Sequence, residues 1–572
     1  MRRPARLDPA ARHEAWRRLS AYRFDVLVIG GGITGSGVAL DAATRGLKTA
    51  LVEARDIASG TSSRSSKLIH GGLRYLEQFD VTLVREALRE RELMLTRLAP
   101  HLVRPVPFLY PLTHRAWERP YVGAGLALYD TLGGTRSLPR HRHLSRRAAL
   151  GLCPAMRRDA LVGAVQYFDA QTDDARHTLS VVRTAAHYGA VVRTSTEAVR
   201  LVRDAGRVVG AEVRDVGTGS TALVRAGVVV AGAGVWTDEV EALAGVRGRF
   251  DVRASKGVHL VVPRDRIASE VGLILRTEAS VLFVIPWGNH WIVGTTDTDW
   301  ALDLAHPAAS SADIDYILRN VNRILARPLT RADISGVYAG LRPLLAGESD
   351  ETSRLSREHA VGRPMPGLVM VAGGKYTTYR VMAIDAVDIA AVDLDRAVPP
   401  SVTDRVPLLG AEGYAALVNQ VDDLASAYEL PTWRIRALLP RYGSLISEVL
   451  DPAGDDPSLL EPLAEADEYL RAEVRYGATH EGALHLDDLL TRRTRVSIEV
   501  PHRGVLSAAD AAAGVAGVLG WSASRQAAEV DVYRARVEAE RQSQEQPDDH
   551  AADAARLVAP DTRAVSVGRA LD

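Results

Sequence analysis

The hydrophobic pattern of this chain predicts an α/β fold in three parts. Residues 24–53 have the order strand, glycine turn, helix, strand, which is typical of a βαβ unit in a parallel sheet. Residues 257–263 and 281–296 are rich in alternating apolar side chains and favour antiparallel strands. After the two prolines at 399–400, helix-period runs replace the strand signals. The chain is therefore predicted to contain a parallel α/β domain, an antiparallel sheet and a helical C-terminal domain.

The α/β domain is predicted to be discontinuous. Residues 226–236 and 367–380 each run from apolar β-branched residues into a glycine turn and a helix, as the first unit does. The predicted divisions are a basic arm at 1–20, the α/β domain at 21–100, 160–250 and 335–395, a covering domain at 101–159 and 251–334, a helical domain at 400–541 and a flexible tail at 542–572.

The composition excludes several functional classes. A formal net charge of -1 gives no global field that would attract nucleic acid. The single cysteine, Cys153, excludes a disulfide framework and a cysteine-built metal site, so no metal is expected and redox chemistry requires an organic cofactor. No run of about 18 apolar residues is present, although attachment to a membrane surface remains possible. We expect a cytoplasmic protein.

Lysine is rare in this chain. The 70 basic residues include only four lysines, Lys48, Lys67, Lys256 and Lys375. A lysine retained against an arginine background indicates a site that needs a compact point charge rather than a planar guanidinium.

A glycine-rich turn follows the first strand. Gly30, Gly32 and Gly35 form a GxGxxG pattern, and Glu53 ends the next strand, where a carboxylate can bind ribose hydroxyls. The first glycine permits the tight turn, the second lets the backbone approach a pyrophosphate, and the third lets helix pack on strand. The pattern predicts a dinucleotide site; a merely structural glycine turn is the alternative.

The segment at 55–77 distinguishes between dinucleotides. It is dense in serine, threonine and glycine, with Arg64, Lys67 and Arg74 interspersed, and suits a loop along a long dinucleotide. A solvated linker is the alternative, which the embedded Leu68 and Ile69 disfavour.

Five segments along the chain stand out together: TSSRSSKLIHGGLRYLE, KGVHLVVP, FVIPWGNHWIVGTTDTD, AGLRPL and GGKYTTYR. In order and at similar spacing, they resemble the motifs of the FAD-dependent glycerol-3-phosphate dehydrogenases, within the larger flavoprotein group that includes D-amino acid and glycine oxidases. The resemblance implies a Rossmann-like FAD-binding domain of the D-amino acid oxidase type, an antiparallel substrate domain and a helical C-terminal domain. It also implies a homodimer attached to the inner face of the cell membrane, which passes electrons to a quinone.

The resemblance also assigns site residues. The substrate pocket, for glycerol 3-phosphate, is expected to contain Arg74, Tyr75, His259, Arg342, Arg357 and Lys375. The FAD site is expected to contain Gly30, Gly32, Ile33, Thr34, Gly35, Glu53, Thr61, Ser62, Ser66, Lys67, Gly232, Gly234, Gly374, Thr377 and Thr378. Four cations in the pocket would suit a phosphate dianion, because charge-assisted bonds from arginine and lysine are strong.

The expected reaction is hydride transfer from C2 of the substrate to flavin N5, while a base takes the hydroxyl proton. His259 is the natural base, and Arg342 can instead orient and acidify the hydroxyl; the sequence does not rank them. The helix expected after Gly374 would direct its positive end, with Thr377 and Thr378, at the reduced flavin.

Each of these residues has a structural alternative. Arg342 and Arg357 can form surface salt bridges, His259 can be a satisfied core histidine, and Tyr75 can simply pack. Thr377 and Thr378 can be ordinary helix caps.

Two other functions remain open. An amino-acid oxidase or dehydrogenase would need one arginine in an otherwise apolar pocket, and a flavin-binding protein without catalysis would not need the cationic pocket at all. Glycerol-3-phosphate oxidases, which use oxygen, tend to carry an insertion that is not seen here, which favours the quinone.

Overall fold

The fold is described from a computed structural model that covers residues 4–72, 80–114, 117–133, 137–246, 250–277, 281–345 and 359–564. Three predicted pocket residues, Arg74, Tyr75 and Arg357, lie outside these described residues.

The strands, numbered in chain order, form two large sheets. In the described residues, the first sheet has eight strands: β1 (Arg23–Ile29), β2 (Thr49–Val52), β7 (Val191–Arg193), β8 (Thr196–Asp204), β9 (Arg207–Asp215), β10 (Thr221–Ala231), β17 (His359–Met365) and β18 (Leu368–Gly373). The second has ten: β3 (Leu68–Ile69), β4 (Val103–Leu112), β5 (Arg142–Ser145), β6 (Gly163–Thr172), β11 (Val252–Pro263), β12 (Gly272–Arg276), β13 (Val281–Trp287), β14 (His290–Gly294), β15 (Thr298–Asp299) and β16 (Gly336–Leu345).

The centre of the first sheet is parallel, in the order β18-β10-β1-β2-β7. Its strands are fully buried runs such as Thr49–Val52, as expected for a sheet covered on both faces. The helices Ile33–Thr44, Asp174–His187 and Tyr379–Ala391 cover one face and share one apolar core with it. The four predicted strands of this domain are therefore confirmed, and all run in the same direction.

The second sheet is antiparallel except where β12 lies parallel to β4. β13 and β14 form a hairpin within 281–296, where antiparallel strands were predicted, and β16 pairs with β11 along its length. The strands β6 and β16 pair in this sheet, although they fall in segments assigned from sequence to the α/β domain. Chain continuity alone did not reveal which sheet they join.

The helices lie on both sides of these sheets and in the C-terminal region. Their bounds up to residue 391 are Pro9–Ala21, Ile33–Thr44, Val81–Leu93, Glu118–Gly133, Arg146–Leu152, Asp174–His187, Thr237–Ala244, Ser311–Asn322 and Tyr379–Ala391. The C-terminal helices are Tyr414–Val418, Val421–Ala427, Thr432–Tyr442, Ile446–Leu450, Arg471–Thr479, Leu486–Asp488, Val496–Glu499, Ala508–Leu519, Ala523–Ser543 and Asp549–Arg556. A short hairpin, β19 (Pro462–Leu463) and β20 (Ala466–Leu470), accompanies them.

The described parts of the two terminal segments contain helices that the sequence does not predict. The expected N-terminal arm forms the helix Pro9–Ala21, which Asp8 caps and which buries Ala15 and Leu19 against the first sheet. The expected flexible tail contains the helix Asp549–Arg556, whose Ala552 is buried. Asp549 binds Lys256, which also contacts Asp313 at 2.6 Å. The sequence did not predict these contacts, because the N-terminal segment is rich in arginine and the C-terminal segment is polar, and both compositions are typical of exposed chain.

Within the described part of the chain, none of the helices has the length and apolar character needed to cross a membrane.

Candidate active site

Four loops meet at one edge of the first sheet. The parallel strands β1, β2, β10 and β18 end there, and their carboxyl ends lead into the loops that begin at Gly30, Glu53, Gly232 and Gly373. Ligands of open α/β sheets bind at this edge, where strand ends and helix N-termini converge. The predicted glycine loops therefore lie together, as a dinucleotide site requires.

Close backbone approach explains the first and third glycines of the turn. A Cβ added at Gly30 would lie 2.6 Å from the Gly232 carbonyl oxygen, and Gly30 has φ +112. A Cβ at Gly35 would lie 2.0 Å from the Gly30 carbonyl oxygen. At both positions the backbone of the protein itself leaves no space for a side chain, because the turn, the helix and the loop after β10 pack closely on one another.

Gly32 differs from its neighbours. It precedes the helix Ile33–Thr44 with an ordinary φ of -74, and the nearest protein atom to an added Cβ is Ser62 Oγ at 3.3 Å. The described first turn of this helix, with Ile33 and Thr34, carries no acidic side chain. Its positive N-terminus is therefore suited to an anion such as a pyrophosphate, and the space above Gly32 is what that group needs.

Glu53 fixes the turn as well as facing the cofactor edge. Its Oε2 accepts a hydrogen bond from Gly31 N–H at 2.6 Å, and its Oε1 accepts one from Arg55 N–H at 2.7 Å. Burial raises the pKa of this carboxyl group. Each oxygen keeps a further lone pair, so ribose hydroxyls can still be bound.

The serine-rich loop is tied to the structure. Thr61 Oγ1 donates to the Leu341 carbonyl oxygen at 2.6 Å, and Ser62 Oγ accepts from Ile33 N–H at 2.9 Å. The loop therefore bridges the two sheets beside the turn, and it is not a solvated linker.

His259 lies on β11, facing the loop. Its Nε2 lies 2.9 Å from Ser66 Oγ, and its ring stacks on Tyr338 of β16. The side chain is only 2% exposed, and Nδ1 has no hydrogen-bond partner among the described residues. Burial, and then the charges of Arg342 and Lys67, hold its pKa well below the ordinary value. The imidazole is therefore neutral.

Arg342 lies on β16 two pleat repeats from Tyr338, so its side chain is on the same face of the sheet as His259, and it is opposite Ser255 in the register. Its guanidinium lies against Gly257, since a Cβ there would approach Nη2 to 2.6 Å. It donates to Thr295 Oγ1 at 3.1 Å and contacts Asp297 at 3.4 Å. The glycine gives the guanidinium its place beside His259, and Asp297 holds it there.

Lys375 precedes the 3-10 turn Tyr376–Thr378 at the end of β18 and is half-buried. Gly374 has φ +87, which positions the turn. Thr377 Oγ1 lies 3.3 Å from both the amide nitrogen and the carbonyl oxygen of His70, and Thr378 Oγ1 donates to the Lys375 carbonyl oxygen at 3.4 Å. Both threonines therefore have capping or bridging contacts in addition to any cofactor role.

Lys67, predicted as a cofactor contact, has its ammonium in a buried ion pair. Nζ donates to Asp174 Oδ1 at 2.6 Å and to the Ser63 carbonyl oxygen at 3.2 Å. Arg495, from the C-terminal domain, donates to the same Asp174 oxygen at 2.7 Å. The ammonium groups of Lys67 and Lys256 therefore both lie in ion pairs with carboxylates.

The sequence reasoning missed Tyr338, Asp174 and Arg495. The Tyr338 hydroxyl donates to the Ser65 carbonyl oxygen at 3.0 Å, and Lys67 Nζ lies 5.3 Å from its ring centre. Together these residues form a buried support beneath His259 and Ser66. Their only sequence signal was the acidic pair at 173–174 after a strand.

Comparison with known proteins gives consistent matches. A family model described as FAD dependent oxidoreductase matches residues 25–380, and one described as the C-terminal domain of alpha-glycerophosphate oxidase matches residues 401–526. Glycerol-3-phosphate dehydrogenase 2 of Mycobacterium tuberculosis is 64% identical over 98% of this chain and 96% of its own length. Glycerol-3-phosphate dehydrogenase of Mycobacterium leprae is 63% identical over 97% and 95%.

The chain belongs to the FAD-dependent glycerol-3-phosphate dehydrogenase family. The crystal structure of the glycerol-3-phosphate dehydrogenase from Bacillus halodurans, complexed with FAD, matches with a TM-score of 0.77 at 28% identity, covering 93% of this chain and 98% of that one. The predicted family, fold class and FAD cofactor are confirmed. The open position above Gly32 and the helix N-terminus fit the FAD pyrophosphate.

Proposed function

We propose that this chain oxidises sn-glycerol 3-phosphate to dihydroxyacetone phosphate and that its electrons pass through FAD to a membrane quinone. The observation that carries the proposal is the juxtaposition of a buried, neutral His259 and the cation Arg342 on the paired strands β11 and β16. The names of the mycobacterial relatives support the same substrate.

Arg342 and Lys375 are the proposed phosphate ligands within the described residues, and Arg74 and Arg357 are proposed from sequence. A phosphate dianion needs several cations, and a chain of net charge -1 must supply them locally. Gly257 supports this role, because the absence of a side chain there lets the guanidinium approach the backbone two residues from His259. One end of the substrate would then be fixed while its C2 carbon lies over the flavin.

His259 is the proposed base for the C2 hydroxyl. Its depressed pKa keeps it neutral, and its Nδ1 has no partner among the described side chains. FAD, when bound, supplies the acceptor for the hydride from C2. Ser66, 2.9 Å from Nε2, and the Tyr338 ring would hold the imidazole while the proton moves.

Attachment to a membrane surface is proposed at the helix Glu118–Gly133. Tyr121 and Leu128 are 50% and 43% exposed at a spacing that places them on one face of this helix, and Trp117, which directly precedes the helix, is 53% exposed. Tryptophan and tyrosine favour the membrane interface, where an apolar body and a polar group are both accommodated. Such attachment would bring the reduced protein close to a lipid-soluble quinone.

Oxygen is the second candidate acceptor. The description of the C-terminal family model, which refers to alpha-glycerophosphate oxidase, favours it. The absence from the sequence of an insertion typical of such oxidases favours the quinone.

Steady-state assays separate these possibilities. Purified protein would be assayed with glycerol 3-phosphate, glycerol and glycine, using in turn a short-chain quinone and oxygen as acceptor. We expect turnover with glycerol 3-phosphate and the quinone. Faster turnover with oxygen would overturn the acceptor, and turnover of glycine would overturn the substrate.

A further inference from the structure

A second cationic cavity lies away from the proposed active site. It measures about 100 Å³ and is enclosed by the loop 55–64, by residues 306–309 and 337–339 next to the second sheet, and by C-terminal residues. Its lining residues include none of Gly32, His259, Arg342 and Lys375. The cavity is therefore separate from the cofactor turn and the substrate pocket, and Tyr338 forms part of the wall towards His259.

The cavity lining is rich in arginine. Eight arginines line it: Arg55, Arg64, Arg492, Arg495, Arg503, Arg536, Arg556 and Arg563. Four carboxylates line it: Asp56, Asp487, Asp488 and Glu540. Some of the arginines form ion pairs with carboxylates that do not line the cavity, such as Arg495 with Asp173 and Arg55 with Asp561. The positive charge that is least compensated lies on Arg64, Arg503, Arg536 and Arg556.

Arg64 is the clearest of these. Its guanidinium donates to the Ala305 carbonyl oxygen at 3.2 Å, and no carboxylate of the described residues lies within ion-pairing distance of it. Burial, and then the neighbouring charges of Arg492, Arg556 and Arg55, lower its pKa to about 9. A guanidinium enclosed among other guanidinium groups is costly unless an anion compensates it.

Three more arginines share one carboxylate. Arg536 Nε lies 3.0 Å from Glu540 Oε1, Arg556 Nη2 lies 3.5 Å from the same oxygen, and Arg503 contacts the other oxygen. Asp487 adds a second partner for Arg536 only. Burial and the neighbouring charge of Arg556 lower the pKa of Arg503 to about 10 and that of Arg536 well below its usual range. Two carboxylates, Glu540 and Asp487, do not neutralise three cations.

We propose that this cavity binds a small multivalent oxyanion of the phosphate class, held by Arg64, Arg536 and Arg556. Planar guanidinium groups bind phosphate oxygens in pairs, and Ser63 in the lining adds a hydroxyl group. A water needs roughly 10–15 Å³ of such volume, so the cavity has room for a tetrahedral oxyanion. The shared chemistry admits two sources, free phosphate or a phosphate monoester.

The C-terminal segment completes the site. Arg536, Glu540, Arg556 and Arg563 all follow residue 526, where the match to the C-terminal family model ends. Asp561 of this segment pairs with Arg55, two residues after Glu53. A bound oxyanion would therefore connect the segment 536–563 to the loop beside the FAD turn. The segment should then be more stable with the oxyanion bound than without it.

Calorimetric titration of inorganic phosphate into the FAD-loaded protein, at constant ionic strength set with chloride, tests the proposal. The Lys375→Ala variant is used throughout, so that the substrate pocket contributes little. We expect one saturable site, whose affinity falls at least about tenfold in Arg64→Gln and in Arg536→Gln, since each loses a charge-assisted contact. Arg534→Gln, on the exposed face of the same helix as Arg536, should bind phosphate unchanged.

Absence of saturable phosphate binding, or equal affinity in Arg64→Gln and Arg536→Gln, would overturn the site. If those variants fold poorly, amide exchange of residues 536–563 in the Lys375→Ala protein replaces them: slower exchange in phosphate than in chloride is expected, and identical exchange overturns the proposal. Glucose 6-phosphate, titrated alongside, decides the source, because displacement of phosphate by it indicates a monoester site and no displacement indicates free phosphate. Oxidation of glycerol 3-phosphate is measured separately, so the two proposals fail independently.

Discussion

His259 and Tyr338 are directly opposite each other in the antiparallel pairing of β11 with β16, and their rings stack with centroids 4.8 Å apart at an interplanar angle of 12°. The partner on the other side is β14, where Gly294 leaves room for the imidazole, since a Cβ there would lie 2.6 Å from His259 Cδ2. The ring is thus held between a flat aromatic surface and a strand with no side chain at that position.

This stack predicts a positioning role for Tyr338. In Tyr338→Ala the imidazole loses its support, and we expect kcat to fall about 10- to 100-fold with little change in KM, because misplaced proton acceptors slow the chemical step. Tyr338→Phe keeps the stack and loses only the hydroxyl bond to Ser65, so it should retain most of the activity. Equal losses in both variants would assign the effect to the hydroxyl instead.

The depressed pKa of His259 predicts the pH dependence. The base must be neutral to act, and because its pKa is lowered it becomes protonated only at a lower pH. The midpoint of the acid limb of kcat/KM should therefore lie below the ordinary histidine pKa of about 6.5. Arg342→Gln removes one of the charges that lower this pKa, and its acid limb should move upward. The substrate phosphate also titrates, but it does so equally with wild type and with Arg342→Gln, so it does not change the difference between their acid limbs. Arg319→Gln, an exposed arginine, is the control, and an unmoved limb in Arg342→Gln would contradict the assignment.

Lys375 should act on the substrate and not on the cofactor. Lys375→Ala should lower kcat/KM about 10- to 100-fold or more, the loss expected for a charge-assisted contact to phosphate, while the purified protein stays yellow. Lys48→Ala is the matched control, because Lys48 is exposed on the surface. Loss of bound flavin in Lys375→Ala, measured by absorbance, would make Lys375 a cofactor residue.

Gly32 and Gly35 should respond differently to substitution. At Gly35 an added Cβ would meet a backbone oxygen at 2.0 Å, so Gly35→Ala should unfold the domain. At Gly32 the nearest protein atom is 3.3 Å away, so Gly32→Val should fold but fail to retain FAD, because the side chain occupies the place of the pyrophosphate. Circular dichroism and flavin content separate the two outcomes. Normal flavin content in Gly32→Val would refute the predicted pyrophosphate site.

The buried pairing of Lys67 and Arg495 with Asp174 should support stability across the domain boundary. Asp174→Asn removes the carboxylate partner of Lys67 and leaves Arg495 with Asp173, and we expect the free energy of unfolding to fall by about 3–5 kcal/mol. The exposed carboxylate Asp159 is the control, and Asp159→Asn should leave the unfolding midpoint unchanged. A midpoint for Asp174→Asn equal to wild type would show that the pair adds little.

Local patterns predicted much of this fold. The strands at 23–29 and 221–231 and the glycine turns after them were visible because a buried parallel strand is a continuous apolar run and a close backbone approach demands glycine. Local patterns did not predict that His259 and Arg342 lie near each other, because the pairing of two strands separated by residues 263–336 leaves no local signal. Only the family resemblance assigned both residues to one pocket.

Contacts distant in sequence were missed for the same reason. Nothing near Lys67 indicates that Asp174 and Arg495 will surround it, so a cofactor role and a buried ion pair looked alike. The segment after residue 541 was expected to fray because it is polar, yet its charges find partners in Lys256 and Arg55. A polar composition shows that a segment can be exposed to solvent, but it does not show whether its charged residues have oppositely charged partners elsewhere in the fold.

The measurement that tests the central claim most directly is anaerobic reduction of the bound flavin. The purified, FAD-containing protein is mixed with glycerol 3-phosphate without oxygen, and the visible spectrum is followed, with glycerol and a panel of amino acids as controls. We predict prompt bleaching of the flavin bands by glycerol 3-phosphate alone. An unchanged spectrum with glycerol 3-phosphate, or bleaching by an amino acid, would contradict the proposed function while leaving the fold and the FAD site in place.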